Sequence, residues 1–284
     1  MASRRPPPRR RRPPPPRRRR RGGSDLGRRI LWAIPLIAFA VFIVVEGGLI
    51  FALGVLLVGI LCMGELFEML DAVRPVKLAG FLALFALTFA ALYGTTYNVL
   101  LMLVALLPVL FFLAIARPQR QDRTLSMAVT LLGVWWIGLA IAHAILLRRL
   151  PHGDAIIVDV LVGTFLGDTA AYVGGRAFGR RPLAPELSPK KTLEGLLIGM
   201  AFAVAGVWFA GLYQDWLSGV DAVLLGVAVA FAAPVGDLFE SLIKRDAGAK
   251  DTGSVLGPHG GVLDRLDAVL FTLPVAFYVW HALM

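Results

Sequence analysis

The chain has 284 residues, of which 57% are hydrophobic and 17% charged, and its mean hydropathy is +0.73. An average soluble domain is about 45–50% apolar and about 25% charged, so an ordinary water-soluble globule is excluded, as is intrinsic disorder beyond the first 29 residues. A single cysteine, Cys62, excludes an intramolecular disulfide and a thiolate zinc site.

The net charge of +10 is unevenly placed. Residues 1–29 carry thirteen Arg and one acid, Asp25, for a net of +12. The remaining residues hold sixteen Lys+Arg against eighteen Asp+Glu, a net of −2. Arg blocks alternate with Pro runs (Pro6 to Pro8, Pro13 to Pro16), a pattern expected to stay extended and disordered. Beside a membrane helix such a tail reads as an orientation signal and a contact for anionic lipid. No aromatic is interleaved with the Arg, so nucleic acid is not the expected partner. The Arg run, Ile30–Ala40 and Ala38-Phe39-Ala40 mimic a signal peptide, but apolar sequence continues to Val45. A retained transmembrane segment is therefore expected.

Apolar stretches able to cross about 30 Å of hydrocarbon fall at Ile30–Val45, Leu49–Met63, Leu78–Tyr93, Val99–Ala116, Leu125–Leu147, Ala155–Phe178, Leu193–Tyr213, Val220–Ile243 and Val262–Trp280. The expected fold is all-α and polytopic, with about nine spans. It divides into a tail (1–29), N-terminal helices (30–150) and C-terminal helices (151–284). With the tail in the cytoplasm, twenty-seven of the twenty-nine basic residues fall inside, and only Arg148 and Arg149 fall outside. An integral protein of a bacterial-type cytoplasmic membrane is expected, with its N-terminus inside.

The first 150 residues show little chemistry. Glu65, Glu68 and Asp71 read as a solvated turn, and His143 as a packing histidine. Acids concentrate in the last 130 residues, and acids in membrane helices are functional by default. Asp168, Ala171, Tyr172 and Gly175 share one helical face. The loop Ser188-Pro189-Lys190-Lys191-Thr192 precedes a helix start and suits an anionic phosphate. Asp237, Glu240, Ser241 and Lys244 form a stripe at i, i+3, i+4 and i+7. Lys250-Asp251, His259-Gly260-Gly261 and Asp264-Arg265-Leu266-Asp267 follow, with Asp264 and Asp267 expected one turn apart on one face. Carboxylates mixed with Lys, Arg and Gly at one membrane surface point to Mg²⁺ plus phosphate.

Over the 27 residues from Ser241 to Asp267, this pattern resembles the signature of phosphatidate cytidylyltransferases (CDP-diacylglycerol synthases). Asp168-x-x-Ala171-Tyr172 and Ser188-Pro189-Lys190-Lys191-Thr192-x-Glu194-Gly195 resemble that family too. The resemblance implies an enzyme that joins CTP and phosphatidate into CDP-diacylglycerol and pyrophosphate, with Mg²⁺ required; the acids number enough to admit a second metal ion. Asp237 and Asp264 are the expected metal ligands, followed by Asp267 and Asp168. Lys244, Arg245, Lys250 and Arg265 are expected on phosphates, with Asp251 beside them. Ser188, Lys190, Lys191, Thr192, Tyr172, Ser241, His259, Gly260 and Gly261 are expected on the substrates. The rival readings are a CTP-dependent polyprenol or phytol kinase and, from another class, a secondary transporter. The transporter would place its charges near the bilayer midplane. The partners implied are CTP, phosphatidate and membrane lipid; a homodimer is compatible with a sequence that fixes no oligomeric state.

Overall fold

In the computed structural model the described residues are 24–118, 122–253 and 260–284, with side chains from Ile34 onward. The disorder expected of the Arg/Pro tail falls on residues outside these, except that helix α1 (Ser24–Glu46) starts inside the boundary drawn at residue 29. Ser24 to Ile34 contains no proline, and α1 continues through Pro35.

Helices α2 (Gly48–Met69), α3 (Lys77–Tyr93) and α4 (Thr96–Ile115) follow, then α5 (Arg123–Gly133) and α6 (Leu139–Arg149). A π-helical turn, Val134–Gly138, joins α5 and α6 into one rod. The C-terminal half is built from α7 (Gly153–Phe178), a short hairpin of β1 (Pro182–Ala184) and β2 (Ser188–Thr192), α8 (Leu193–Gly211), α9 (Gly219–Asp246), α10 (Leu263–Leu266) and α11 (Val269–Leu283). Seven of the resulting segments are long and apolar enough to span a membrane, and Ile34–Glu46 and Lys77–Tyr93 are shorter apolar helices. These nine coincide with the nine stretches expected. The antiparallel hairpin was not expected, because its Pro- and Lys-rich strands lack period-2 alternation.

Large side chains such as Leu53, Phe85, Phe112, Phe209 and Phe231 are exposed around the circumference, as lipid-facing helices require. The interior is equally apolar: Met63, Leu66, Phe67, Leu84 and Ile137 are fully buried. Between α7 and α8 the packing is by small residues. A Cβ on Gly199 would lie 2.7 Å from Ala171 Cβ, and one on Gly195 would lie 2.7 Å from the Ala171 carbonyl oxygen. This is the small-residue seam by which membrane helices approach closely.

Contacts between helix ends define two faces. At one, Arg148 donates to the carbonyls of Val44 (2.8 Å) and Val45 (3.3 Å), and Arg149 to those of Ala91 (2.5 Å) and Gly94 (2.6 Å). The two basic residues that break the charge asymmetry thus cap the carbonyl ends of α1 and α3. Trp280 donates to Pro151 O at 2.9 Å on the same face. At the opposite face lie the ends of α2, α7 and α9, the hairpin and α10.

The solvated turn is corrected in part. Glu68 and Asp71 are exposed, and Lys77, 2.9 Å from Asp71, holds the Asp71 carboxyl below the usual range. Glu65 is buried, only 3% exposed, because it sits one turn inside α2 and faces the C-terminal half. His143 packs as expected, with its ring nitrogens against Leu139 O (2.8 Å) and Tyr278 OH (3.0 Å).

Candidate active site

Three elements meet at the second face. The C-terminal third of α9 carries the stripe Asp237, Glu240, Ser241 and Lys244. The hairpin lies against it and is locked at its base: Glu194 accepts from the Arg180 (2.9 Å) and Arg181 (3.1 Å) amides. Thr192 caps α8 by accepting from Gly195 N at 3.2 Å. Lys191 forms an ion pair with Asp237, and Arg245 Nε donates to Leu187 O at 3.1 Å. The third element, α10 with the turn after it, packs on α9 at Gly236, where a Cβ would lie 2.5 Å from the Asp267 carbonyl oxygen.

That close approach creates an acidic centre. Asp237, Glu240 and Asp267 each offer an oxygen, and the three oxygens lie within 4.8 Å of one another. Asp168 on α7 interacts electrostatically with Asp237 and Lys191, and Asp267 with Glu240, Asp237 and Asp168. Glu240 is 1% exposed, and its Oε1 is buried without a hydrogen-bond donor. Such an orphaned acceptor is costly. Lys191 and Lys244 reach this group only from its edges, and carboxylates crowded this closely favour a bound cation or a shared proton. Oxygen-only donors of this kind fit a hard divalent cation.

Asp264 is engaged elsewhere. Its Oδ1 accepts from Lys244 Nζ at 2.9 Å, and its Oδ2 from the amides of Thr252 (3.0 Å) and Gly261 (2.8 Å). Lys244 also donates to Glu240 Oε2 at 2.8 Å, linking Asp264 to the acidic centre. Asp264 and Asp267 lie one turn apart as expected, since the backbone stays right-handed helical through Asp267 and Ala268. From that turn Asp264 meets Lys244 and the loop amides, while Asp267 meets the carboxylates of Asp237 and Glu240.

Beside the acidic centre, a cleft of about 230 Å³ opens between the hairpin and the end of α9, lined by Ser188, Lys190, Ser241, Lys244, Arg245 and Lys250. It is therefore basic and hydroxylated, the chemistry that binds phosphate oxygens. Asp168 and Tyr172 are exposed on α7, while Asp251 and Arg265 are exposed at the loop and on α10. Gly260 adopts φ 81°, a left-handed conformation that favours glycine. Gly261 is buried against Thr252 and Glu65. His259 lies outside the described residues. The structure adds Glu240 and Glu65 to the residues expected at the site. Glu240 was legible as a member of the Asp237 stripe, whereas Glu65 had no local signal.

The model of the cytidylyltransferase family matches residues 27–283. The chain belongs to that family. It is 30% identical over 263 residues to the phosphatidate cytidylyltransferase of Bacillus subtilis, covering 90% of this chain and 97% of that protein. Over 163 residues it is 38% identical to the phosphatidate cytidylyltransferase of Pseudomonas aeruginosa, covering 56% of this chain and 58% of the relative. Over 144 residues it is 40% identical to the chloroplastic phosphatidate cytidylyltransferase 4 of Arabidopsis thaliana, covering 49% and 37% respectively. In these two higher-identity matches the chain spans roughly a third to three-fifths of the relative's length. This member of the family is an integral membrane protein, with the basic cleft and the acidic centre side by side at one end of its helices.

Proposed function

We propose that this protein transfers the cytidylyl group of CTP to phosphatidate, giving CDP-diacylglycerol and pyrophosphate. The observation that carries the reading is the junction of the basic cleft with the acidic centre through Lys244. An anionic lipid phosphate and a nucleoside triphosphate both need cations around their oxygens, and the relatives matched most fully bear this activity in their names.

An oxygen of the lipid phosphate attacks the α-phosphorus of CTP, the bond from that phosphorus to the bridging oxygen breaks, and pyrophosphate leaves. The nucleophile is already anionic, so catalysis rests on positioning and charge stabilisation. Lys190, Lys244, Arg245 and Lys250 hold phosphate oxygens in the cleft, with Ser188 and Ser241 as neutral donors. Asp237, Glu240 and Asp267 would hold Mg²⁺, with Asp168 alongside and Asp264 acting through Lys244. Bound there, Mg²⁺ supplies positive charge to the phosphates as negative charge develops on the leaving group. By the placement of Lys and Arg, this face is cytoplasmic, the side on which a soluble nucleotide is available.

The test is purified protein with cytidine-labelled CTP, phosphatidate and Mg²⁺. Labelled CDP-lipid with an equal yield of pyrophosphate is expected. Free CDP together with a phosphorylated alcohol, when a polyprenol or phytol replaces phosphatidate, would overturn the reading in favour of a kinase.

A further inference from the structure

Glu65 belongs to the N-terminal half, yet among the described residues every hydrogen bond its carboxylate receives comes from the C-terminal half. Its Oε1 accepts from Val262 N at 2.9 Å, and its Oε2 from Leu263 N at 2.9 Å and Thr252 Oγ1 at 3.2 Å. These donors lie on both sides of the signature loop and converge on one carboxylate. Asp264 closes the same neck from the other side, through the amides of Thr252 and Gly261. Thr252 therefore bridges the two acids, giving its hydroxyl to Glu65 and its amide to Asp264. The neck wraps tightly around Glu65: a Cβ on Gly253 would lie 2.7 Å from Glu65 Oε1.

A buried carboxylate within apolar helices is expensive unless fully hydrogen-bonded, and a packing role would be served by Leu or Met. The polar connection also continues beyond the neck. Asp264 holds Lys244, Lys244 holds Glu240, and Glu240 belongs to the acidic centre with Asp237 and Asp267. We infer that Glu65 is a positioning residue. It fastens both sides of the signature-loop neck to α2 and so fixes Asp264 and Lys244 against the acidic centre. The inference rests on the function proposed above and extends it to a residue 187 positions from its partner Thr252.

The experiment compares wild type, Glu65→Gln and Thr252→Val as monodisperse detergent-solubilised proteins, with Glu68→Gln as a control on the exposed side of α2. Glu65→Gln keeps the shape but turns one acceptor into a donor facing donors. Hydrogen exchange at the Val262–Leu263 amides, followed without Mg²⁺ or substrate, is expected to accelerate at least about tenfold in Glu65→Gln. Its kcat is expected to fall at least about tenfold, with the Mg²⁺ half-saturation raised at least about threefold. Thr252→Val, which loses only the hydroxyl, should move all three readouts in the same direction and less far. It carries the test should Glu65→Gln fail to fold. A purely structural role would reduce folded yield while the surviving protein kept wild-type exchange, kcat and Mg²⁺ dependence, and that result would overturn the inference. Should wild type make no CDP-lipid, the proposed function fails, while the exchange measurement still decides whether Glu65 holds the neck.

Discussion

The candidate site depends on how closely α9 approaches α10, and Gly236 sets that distance. A methyl placed there would come 2.5 Å from the Asp267 carbonyl oxygen, 2.9 Å from Phe271 Cδ2 and 3.1 Å from Ala268 Cα. Ordinary contact begins at 3.4 Å, so Gly236→Ala requires the two segments to part by up to about 0.9 Å. The neighbours include backbone, which cannot rotate away as a flexible side-chain tip would. Overpacking of this kind costs about 1–3 kcal/mol, partly offset by the helix propensity that Ala gains over Gly, about 1 kcal/mol. The net loss of stability is then about 0–2 kcal/mol, a fall in Tm of less than about 8 °C. The effect on rate should be larger. Metal sites tolerate about 0.2 Å of ligand displacement, and a misplacement of about 1 Å costs about a hundredfold in rate. Asp237 is adjacent to Gly236, and Asp267 is the residue pushed away. We therefore expect kcat for CDP-lipid formation to fall about a hundredfold, with the Mg²⁺ half-saturation raised. The assay is turnover across a Mg²⁺ series, read beside a melting curve of the same preparation. Gly64→Ala, where a Cβ meets nothing within 4 Å, is the control and should stay active. Wild-type kcat and Mg²⁺ dependence in Gly236→Ala would refute the dependence of the acidic centre on this approach.

Neutralising the acidic centre should act in the same direction. Asp237→Asn, Glu240→Gln and Asp267→Asn are each expected to lower kcat by about a hundredfold. Any double combination should be scarcely worse than a single, and near-wild-type turnover would remove that residue from the metal site. Orientation is tested by labelling engineered cysteines with a membrane-impermeant reagent, since the natural Cys62 is buried. A cysteine at the exposed Glu186 should react only from the cytoplasmic side and one at the exposed Asp215 only from the opposite side. The reverse pattern would invert the topology.

What the sequence made legible follows from which interactions are local. Hydrocarbon forces every backbone group into helix, so runs such as Leu193–Tyr213 announce their spans by composition alone. The stripe Asp237, Glu240, Ser241, Lys244 was readable because a single helix fixes its spacing, and the Lys244–Glu240 contact is an i, i+4 pair within it. The same rule held at Asp264 and Asp267, because the backbone stays right-handed helical through Asp267 and Ala268. Arg148 and Arg149 looked like exceptions to the charge asymmetry because the carbonyls they cap lie about 55 to 104 positions away. Glu65 is the clearest case of the limit. Beside Glu68 and Asp71 it has the look of a solvated turn, since an acid at a helix end is usually exposed. Only the packing of α2 against the loop neck distinguishes it, and that packing is a property of the assembled bundle. The two halves therefore carry different kinds of information. The C-terminal half writes its chemistry into one contiguous stretch of helix and loop, while the N-terminal half contributes a single acid whose partners no local pattern records. A search for further positioning residues in such helical enzymes should start from buried carboxylates whose hydrogen bonds all come from another part of the chain.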